Sequence, residues 1–300
     1  MIVRPRRSVL YVPAINARAV AKCRTVDADA VVLDLEDSVA PADKPAARDA
    51  AVLALREGGF GHREVVVRVN ALDTPWGRDD LLAAAAARPA ALLLPKVQRP
   101  GDVMFAAQDL SRAEVPETVR LWAMVETPAA VLSVGDVART AADPASRLDA
   151  LVLGTNDLAK DLRVRVGPGR DTLLVWLSAC VAAARCHGLD VIDGVFNGLD
   201  DPDGLAAEAA QGRDYGMDGK TCIHPNQVAA CNAAFAPSAG EVAAAHRIVE
   251  AFDRPDAASV NVMRIDGRMV ERLHADAARR VLAVAEAAAA RDGGRAAAAL

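Results

Sequence analysis

The 300 residues hold no basic run longer than a pair such as Arg6-Arg7, and the formal charge is −5 with an isoelectric point near 5.6. That balance leaves no electrostatic footprint for nucleic acid or an anionic membrane surface, so neither is expected as a partner. No apolar stretch approaches the length of a membrane span. The opening MIVRPRRSVLYVPA puts arginines ahead of an apolar run, but Pro13 and Asn16 close it long before a secretion signal would be complete, which points to a cytoplasmic protein. Cysteines are few: Cys23, Cys180, Cys186, Cys222 and Cys231 form no C-x-x-C, and no histidine stands at zinc-ligand spacing. They are expected to be reduced and mostly buried. A nucleophile elbow of the G-x-S-x-G type is absent and no cysteine has an activating context, so covalent catalysis is not indicated. Aromatic residues make up only 3% of the chain; alanine is abundant instead, and runs such as 81–87 and 283–290 favour helix.

Two apparent nucleotide motifs fail on context. Gly219-Lys220-Thr221 would end a phosphate-binding loop, but Asp214 stands where that loop needs glycine and CIHP follows rather than a helix. Gly167-Pro168-Gly169-Arg170 has no strand before it and is no dinucleotide fingerprint. His62, His187, His246 and His274 have no partner at a diagnostic spacing and are read as surface or helix-end residues.

Short apolar runs rich in β-branched residues recur at 8–12, 30–35, 65–69, 91–95, 121–125, 148–153, 190–193 and 219–223, with helix-compatible segments between them. Near-continuous hydrophobic strands alternating with helices argue for parallel β covered on both faces. Eight such units fit an α/β fold of the (β/α)8 TIM barrel type, placed at residues 1–235. From about Ala236 the pattern changes: Ser238 with Glu241 three residues on is a capping box, and a loop containing DRPDAAS and IDG precedes a helix expected at about 268–291. Residues 236–300 are therefore a C-terminal helical extension, a cap or an oligomer contact, whose last residues RDGGRAAAAL are expected to fray.

Polar residues cluster where the apolar runs end. VVLDLEDS delivers Asp34, Glu36 and Asp37; Arg68 and Asn70 end the third run; Lys96, Glu126, Asn156 with Asp157, Asp193 and His224 follow or end later ones. In a barrel, all strand carboxyl ends open on the face where active sites lie, so these residues are expected at one mouth. Three carboxylates packed that closely need a cation among them. Glu126 and Asp157 are one βα repeat apart and suit Mg²⁺, which takes oxygen ligands and keeps several waters; the alternative is that both merely cap helices. Arg68 inside VVVRVN needs an anion if buried, either a substrate carboxylate or the internal Glu36 or Asp37. Lys96 is a site cation or a paired structural one, and His224 a substrate contact or a structural turn.

The stretches RSVLYVPA, DADAVVLDLEDSVAPADKPAAR, VVVRVNALDTPWGRDDL, ALLLPKV, MVETPAAV, LGTNDLAKDL, VIDGVFNGLDDPDGL, YGMDGKTCIHPNQV and FAPSAGEVAAAHRIVEAF, in that order, resemble the citrate lyase β-subunit and malyl-CoA lyase family of CoA-ester lyases, within the HpcH/HpaI aldolase group. The resemblance covers nearly the whole chain to about residue 252. It implies that Glu126 and Asp157 hold Mg²⁺ (Mn²⁺ being possible), that Arg68 contacts the oxoacid, and that Glu36 and Asp37 order metal-bound water. It implies also that Lys96, Asn16, Arg18 and His224 lie near the substrate or its CoA arm. Such enzymes are typically homo-oligomers, trimers or hexamers, in which an acid from the C-terminal segment reaches a neighbour's site. Here Glu271 in GRMVERL stands where relatives often carry aspartate, and is the candidate base. Ala14 replaces a glycine common after the first strand's proline.

The function this implies is a Mg²⁺-dependent carbon–carbon lyase joining or parting an acyl-CoA and a small 2-oxoacid, with a malyl-CoA-like or citryl-CoA-like substrate. The alternatives are a malyl-CoA thioesterase, an aldolase releasing pyruvate, and a non-catalytic barrel subunit of a lyase complex.

Overall fold

The structure, a computed structural model, describes residues 4–298, with side chains through Arg291. The chain forms two compact units, Arg6–Phe235 and, grouped with Met1–Pro5, Ala236–Leu300.

In the first unit the order is β1 (Ser8–Pro13), α1 (Ala17–Cys23), β2 (Ala30–Asp34), α2 (Lys44–Glu57), β3 (Glu64–Arg68), α3 (Gly77–Ala86), β4 (Ala91–Leu94) and α4 (Pro100–Arg112). It continues with β5 (Arg120–Val125), α5 (Pro128–Arg139), β6 (Leu148–Leu153), α6 (Thr155–Leu162), α7 (Leu174–Cys186), β7 (Asp190–Asp193), α8 (Pro202–Asp214), β8 (Gly219–Cys222) and α9 (Val228–Phe235). The eight strands close into a parallel barrel in sequence order, β8 pairing back to β1. This is the (β/α)8 barrel, with α6 as an extra helix between β6 and α7.

Alternation along each strand makes the two layers. Val9, Val32, Val66, Leu93, Trp122 and Val152 point into the barrel and form its small interior cluster. Their neighbours Leu10, Leu33, Val67, Leu92, Leu121 and Leu151 point outward into the larger core beneath the helices. The helices meet that core largely through alanine, as with Ala47, Ala51 and Ala54 of α2 and Ala84 and Ala85 of α3. Truncating one fully buried leucine, Leu33→Ala, is expected to cost about 2–5 kcal/mol.

The amino-terminal end of the barrel is plugged. Arg6 stacks on Trp122 at 4.7 Å and pairs with Glu64 at 2.8 Å, Asp190 at 2.9 Å and Asp149. The opposite mouth is thereby left as the open end.

The second unit holds α10 (Ala239–Asp253), β9 (Val262–Ile265), β10 (Arg268–Glu271) and α11 (Arg272–Ala298). The capping box is present: Ser238 Oγ accepts from Glu241 N, and Glu241 Oε2 accepts from Ser238 N. One expectation is corrected. Residues 268–271 are a strand rather than the start of a helix, because Asp266 (φ 50°) and Gly267 (φ 79°) make a two-residue turn between the antiparallel partners Ile265 and Arg268. The extension is therefore two helices with a hairpin between them. Helix α11 runs to Ala298, and residues 299 and 300, the end of RDGGRAAAAL, lie outside those described. Among the described residues no helix is long and apolar enough to cross a membrane.

Candidate active site

The same alternation decides which polar residues enter the barrel mouth. Asp34 is two residues beyond the inward Val32, Arg68 two beyond Val66, and Glu126 two beyond Met124, so all three continue the interior rows. Asp34 and Arg68 are register partners on β2 and β3. The Arg68 Nε donates to Asp34 Oδ1 at 2.6 Å and its Nη2 to Oδ2 at 2.7 Å, a fork-on-fork pair. Its Nη1 lies 3.0 Å from Asp37 and 2.9 Å from Glu36, and the guanidinium packs over Tyr11 at 4.8 Å.

That arrangement explains the acidic run. Asp34 also accepts the backbone N–H groups of Glu36 at 2.9 Å and Ser38 at 3.1 Å, and buried Lys44 donates to the carbonyls of Leu35 and Glu36. The turn after β2 is thus folded around one carboxylate. Burial alone would raise the Asp34 pKa, but the guanidinium outweighs it and holds the carboxyl below its usual range. Glu36 goes the other way: burial, opposed by Arg68, pushes it up to about 8. Its Oε2 forms the ion pair with Arg68 at 2.9 Å but, among the described residues, is buried without a hydrogen-bond partner.

On the far side of the mouth, Glu126 follows β5 and Asp157 lies in the first turn of α6, after the adjacent β6. The Lys96 ammonium touches both, Glu126 Oε1 at 3.4 Å and Asp157 in a close ion pair. Lys96 has a left-handed backbone (φ 54°), which costs on the order of 1 kcal/mol and turns its N–H onto Glu126 Oε1 at 2.7 Å. Gly154 makes room: a Cβ there would lie 2.3 Å from Glu126 Cβ and 2.6 Å from its Oε2. Burial raises the Glu126 pKa against the opposing pull of Lys96. For Asp157, burial also pushes upward, but Lys96 prevails and lowers it. The capping alternatives are excluded, since Thr127 caps α5 through its side chain and Gly154 occupies the N-cap of α6.

Arg68, Asp34, Asp37, Glu126 and Asp157 all line one cavity of about 490 Å³ at this mouth. Other expected residues sit elsewhere. Asn16 caps α1, accepting from Ala19 N at 3.1 Å, and Arg18 is exposed on that helix. His224 caps the turn before α9, its Nδ1 accepting from Asn226 N at 3.3 Å. None of these three lines the cavity. Glu271 is the exposed last residue of β10, in the other unit, with its N–H on His274 Nδ1. The expectation that Asn70 and Asp193 share the mouth is corrected. Asn70 clamps Leu35 O and Asp80, and Asp193, next to the inward Ile192, points outward to Arg170 and Lys220.

The HpcH/HpaI aldolase/citrate lyase family model matches residues 7–225. The chain belongs to this family. It is 46% identical to a (3S)-malyl-CoA thioesterase of Cereibacter sphaeroides over 286 residues, covering 95% of this chain and 96% of that protein. It is 34% identical to the citrate lyase subunit beta of Escherichia coli, covering 94% of each. Among solved structures, CitE from Mycobacterium tuberculosis in complex with magnesium, acetoacetate and coenzyme A is similar with a TM-score of 0.75 at 29% identity, over 95% of this chain and 100% of that one.

Glu126 and Asp157 could hold a divalent ion between them. One ammonium already touches both Glu126 and Asp157, so a single cation spans the gap between them. Among the described residues no three His, Cys, Asp or Glu side chains gather as a cage; two carboxylates with further positions left to water and substrate is how Mg²⁺ is commonly held.

Sequence reasoning missed Asp34 as the main partner of Arg68, naming Glu36 and Asp37 instead. The signal was available, because Asp34 shares strand parity with Val32 whereas Glu36 and Asp37 lie beyond the strand. Tyr11, Met124 and Gly154 were missed as well, being apolar, aromatic or featureless in a string of such residues.

Proposed function

We propose that this chain is a Mg²⁺-dependent lyase acting on a malyl-CoA-like or citryl-CoA-like thioester. The observation that carries the reading is one cavity lined by Arg68, Glu126 and Asp157 together. Glu126 and Asp157 would hold the ion. When bound, Mg²⁺ or Mn²⁺ supplies Lewis-acid polarisation of the oxoacid's carboxylate and keto oxygens.

The chain's own groups bind and orient. Of the five Arg68 N–H groups, the second on Nη2 has no partner among the described residues, leaving a donor for a substrate oxygen in the cavity. Because Asp34 fixes the guanidinium, that donor is preorganised, the feature that makes electrostatic stabilisation effective. In cleavage, the substrate hydroxyl loses its proton and the bond to the thioester's α-carbon breaks. The hydroxyl carbon becomes the keto carbon of the 2-oxoacid; the electron pair stays on the thioester enolate, which takes up a proton to give acyl-CoA. Glu36, with a pKa near 8, is matched to proton traffic at neutral pH. On this reading Glu271, which the family resemblance implies comes from a neighbouring copy in a homo-oligomer, is the candidate base for the α-proton in condensation.

Hydrolysis is a second reading, supported by the 46% identity to a malyl-CoA thioesterase. There water attacks the thioester carbonyl and the carbon–sulfur bond breaks. Incubation with malyl-CoA and Mg²⁺ separates the two: glyoxylate and acetyl-CoA signify the lyase, malate and CoA the thioesterase. Glu126→Ala is expected to lose roughly 100-fold or more in either, and equal activity would remove the basis of both.

A further inference from the structure

A second cavity of about 470 Å³ adjoins the first. Thr155, Asn156, Val195 and Asn197 line both, so these four form the common wall. Asn156 and Asn197 face each other with reciprocal amide hydrogen bonds of 3.2 and 2.8 Å, a clasp between the first turn of α6 and the loop after β7.

The second cavity is prebuilt rather than left to mobile loops. One wall is the segment around Pro168, held by Arg170, which donates to Asp193 at 2.8 Å and to Gln211 at 2.9 Å. Gln211 in turn donates to the Gly169 carbonyl at 2.6 Å. The other wall carries Phe196, whose carbonyl accepts from the buried Gln227 at 2.9 Å. Glycine permits the ring's position: a Cβ at Gly198 or Gly204 would come within 2.9 Å of it.

The chemistry of the walls selects the occupant. Val166, Pro168, Leu173, Phe196 and Ala207 supply apolar surface. The charges are already matched, Arg170 to Asp193 and Glu208 to Lys220 at 2.7 Å, while Asp201 caps α8. Among the described residues, therefore, no uncommitted cation on this wall would welcome a phosphate or a second carboxylate. An uncharged alkyl group fits, and the shared wall places it alongside the groups proposed to hold the oxoacid.

We propose that the second cavity is a specificity pocket for the alkyl chain of the 2-oxoacid half of the substrate, entered past the Asn156–Asn197 clasp. The preferred thioester then carries an alkyl group of several carbons on its hydroxyl-bearing carbon. This inference rests on the oxoacid site proposed above.

Calorimetry with Mg²⁺ and the series glyoxylate, pyruvate, 2-oxobutyrate and 2-oxohexanoate tests it. Affinity is expected to rise about tenfold or more from pyruvate to 2-oxohexanoate, given the gain per buried methylene. Ala207→Trp, at an exposed position that lines the second cavity and not the first, is expected to reduce that ratio, and Ala207→Leu to reduce it less. A flat or falling series in the wild type, or a ratio unchanged in both variants, overturns the pocket while leaving the oxoacid site standing. Failure of every acid to bind, pyruvate and glyoxylate included, overturns the oxoacid site and the pocket with it.

Discussion

Asp34 and Arg68 stand opposite each other on β2 and β3, and their side chains close a two-pronged ion pair of 2.6 and 2.7 Å inside the barrel mouth. Both are buried, with 1% and 7% of their surface exposed, so neither charge can fall back on water. Asp34→Ala is expected to destabilise the protein by about 3–5 kcal/mol, the usual cost of leaving a buried charge without its partner. Urea unfolding of the two proteins measures this; a loss well under 1 kcal/mol would mean that Glu36 and Asp37 already suffice as counter-ions.

Lys96 links the other pair of acids. In metal-free protein, Lys96→Met leaves Glu126 and Asp157 without their shared cation, and the half-buried position makes the expected loss about 1 kcal/mol. Added Mg²⁺ should restore more stability to the variant than to the wild type, because the ion replaces the missing charge. Thermal melts with EDTA and with Mg²⁺ give the comparison, and an equal Mg²⁺ response in both would count against the shared-cation geometry.

Glu36 imposes a pH dependence of definite sign. Its pKa is about 8 in the folded protein against 4.5 ordinarily, so the stabilisation is full below pH 4.5, where both states are protonated. It diminishes as pH rises toward 8, because the unfolded chain gives up its proton first. Glu36→Gln should therefore flatten the fall in metal-free stability between pH 5 and 8. Parallel slopes for the two proteins in urea titrations would show that Glu36 ionises normally.

Gly154→Ala places a methyl group where the Glu126 side chain now lies, 2.3 Å from its Cβ. The neighbour must move, and Glu126 loses its position between Lys96 and the cavity. Mg²⁺ affinity is expected to fall by roughly 10–100-fold, as for loss of a supporting contact; isothermal calorimetry reads it directly, and unchanged affinity would place the ion elsewhere.

The barrel was legible because its strands are apolar runs bounded by polar residues, and the same boundary marks brought out Arg68, Glu126 and Asp157. What those marks do not carry is facing. Asp193 and Asp34 both end apolar runs, yet Asp193 follows the inward Ile192 directly and so turns out toward Arg170, while Asp34 follows Val32 by two and turns in. Counting parity as well as position would have separated them. The hairpin at 262–271 was announced by Asp266-Gly267, which was read as part of a loop before a helix rather than as the turn between two strands. The left-handed backbone at Lys96 had no such sign, since lysine seldom adopts it and its stability comes from the contacts to Glu126 and Asp157.

The central claim is that Glu126 and Asp157 hold one divalent ion beside Arg68. Mn²⁺ titration followed by electron paramagnetic resonance tests it most directly, using the wild type, Glu126→Gln and Asp157→Asn. One ion per chain is expected in the wild type, with binding in each variant weakened by more than the roughly 10–100-fold that loss of a supporting contact costs. A single ion bound equally tightly by all three proteins would contradict the claim.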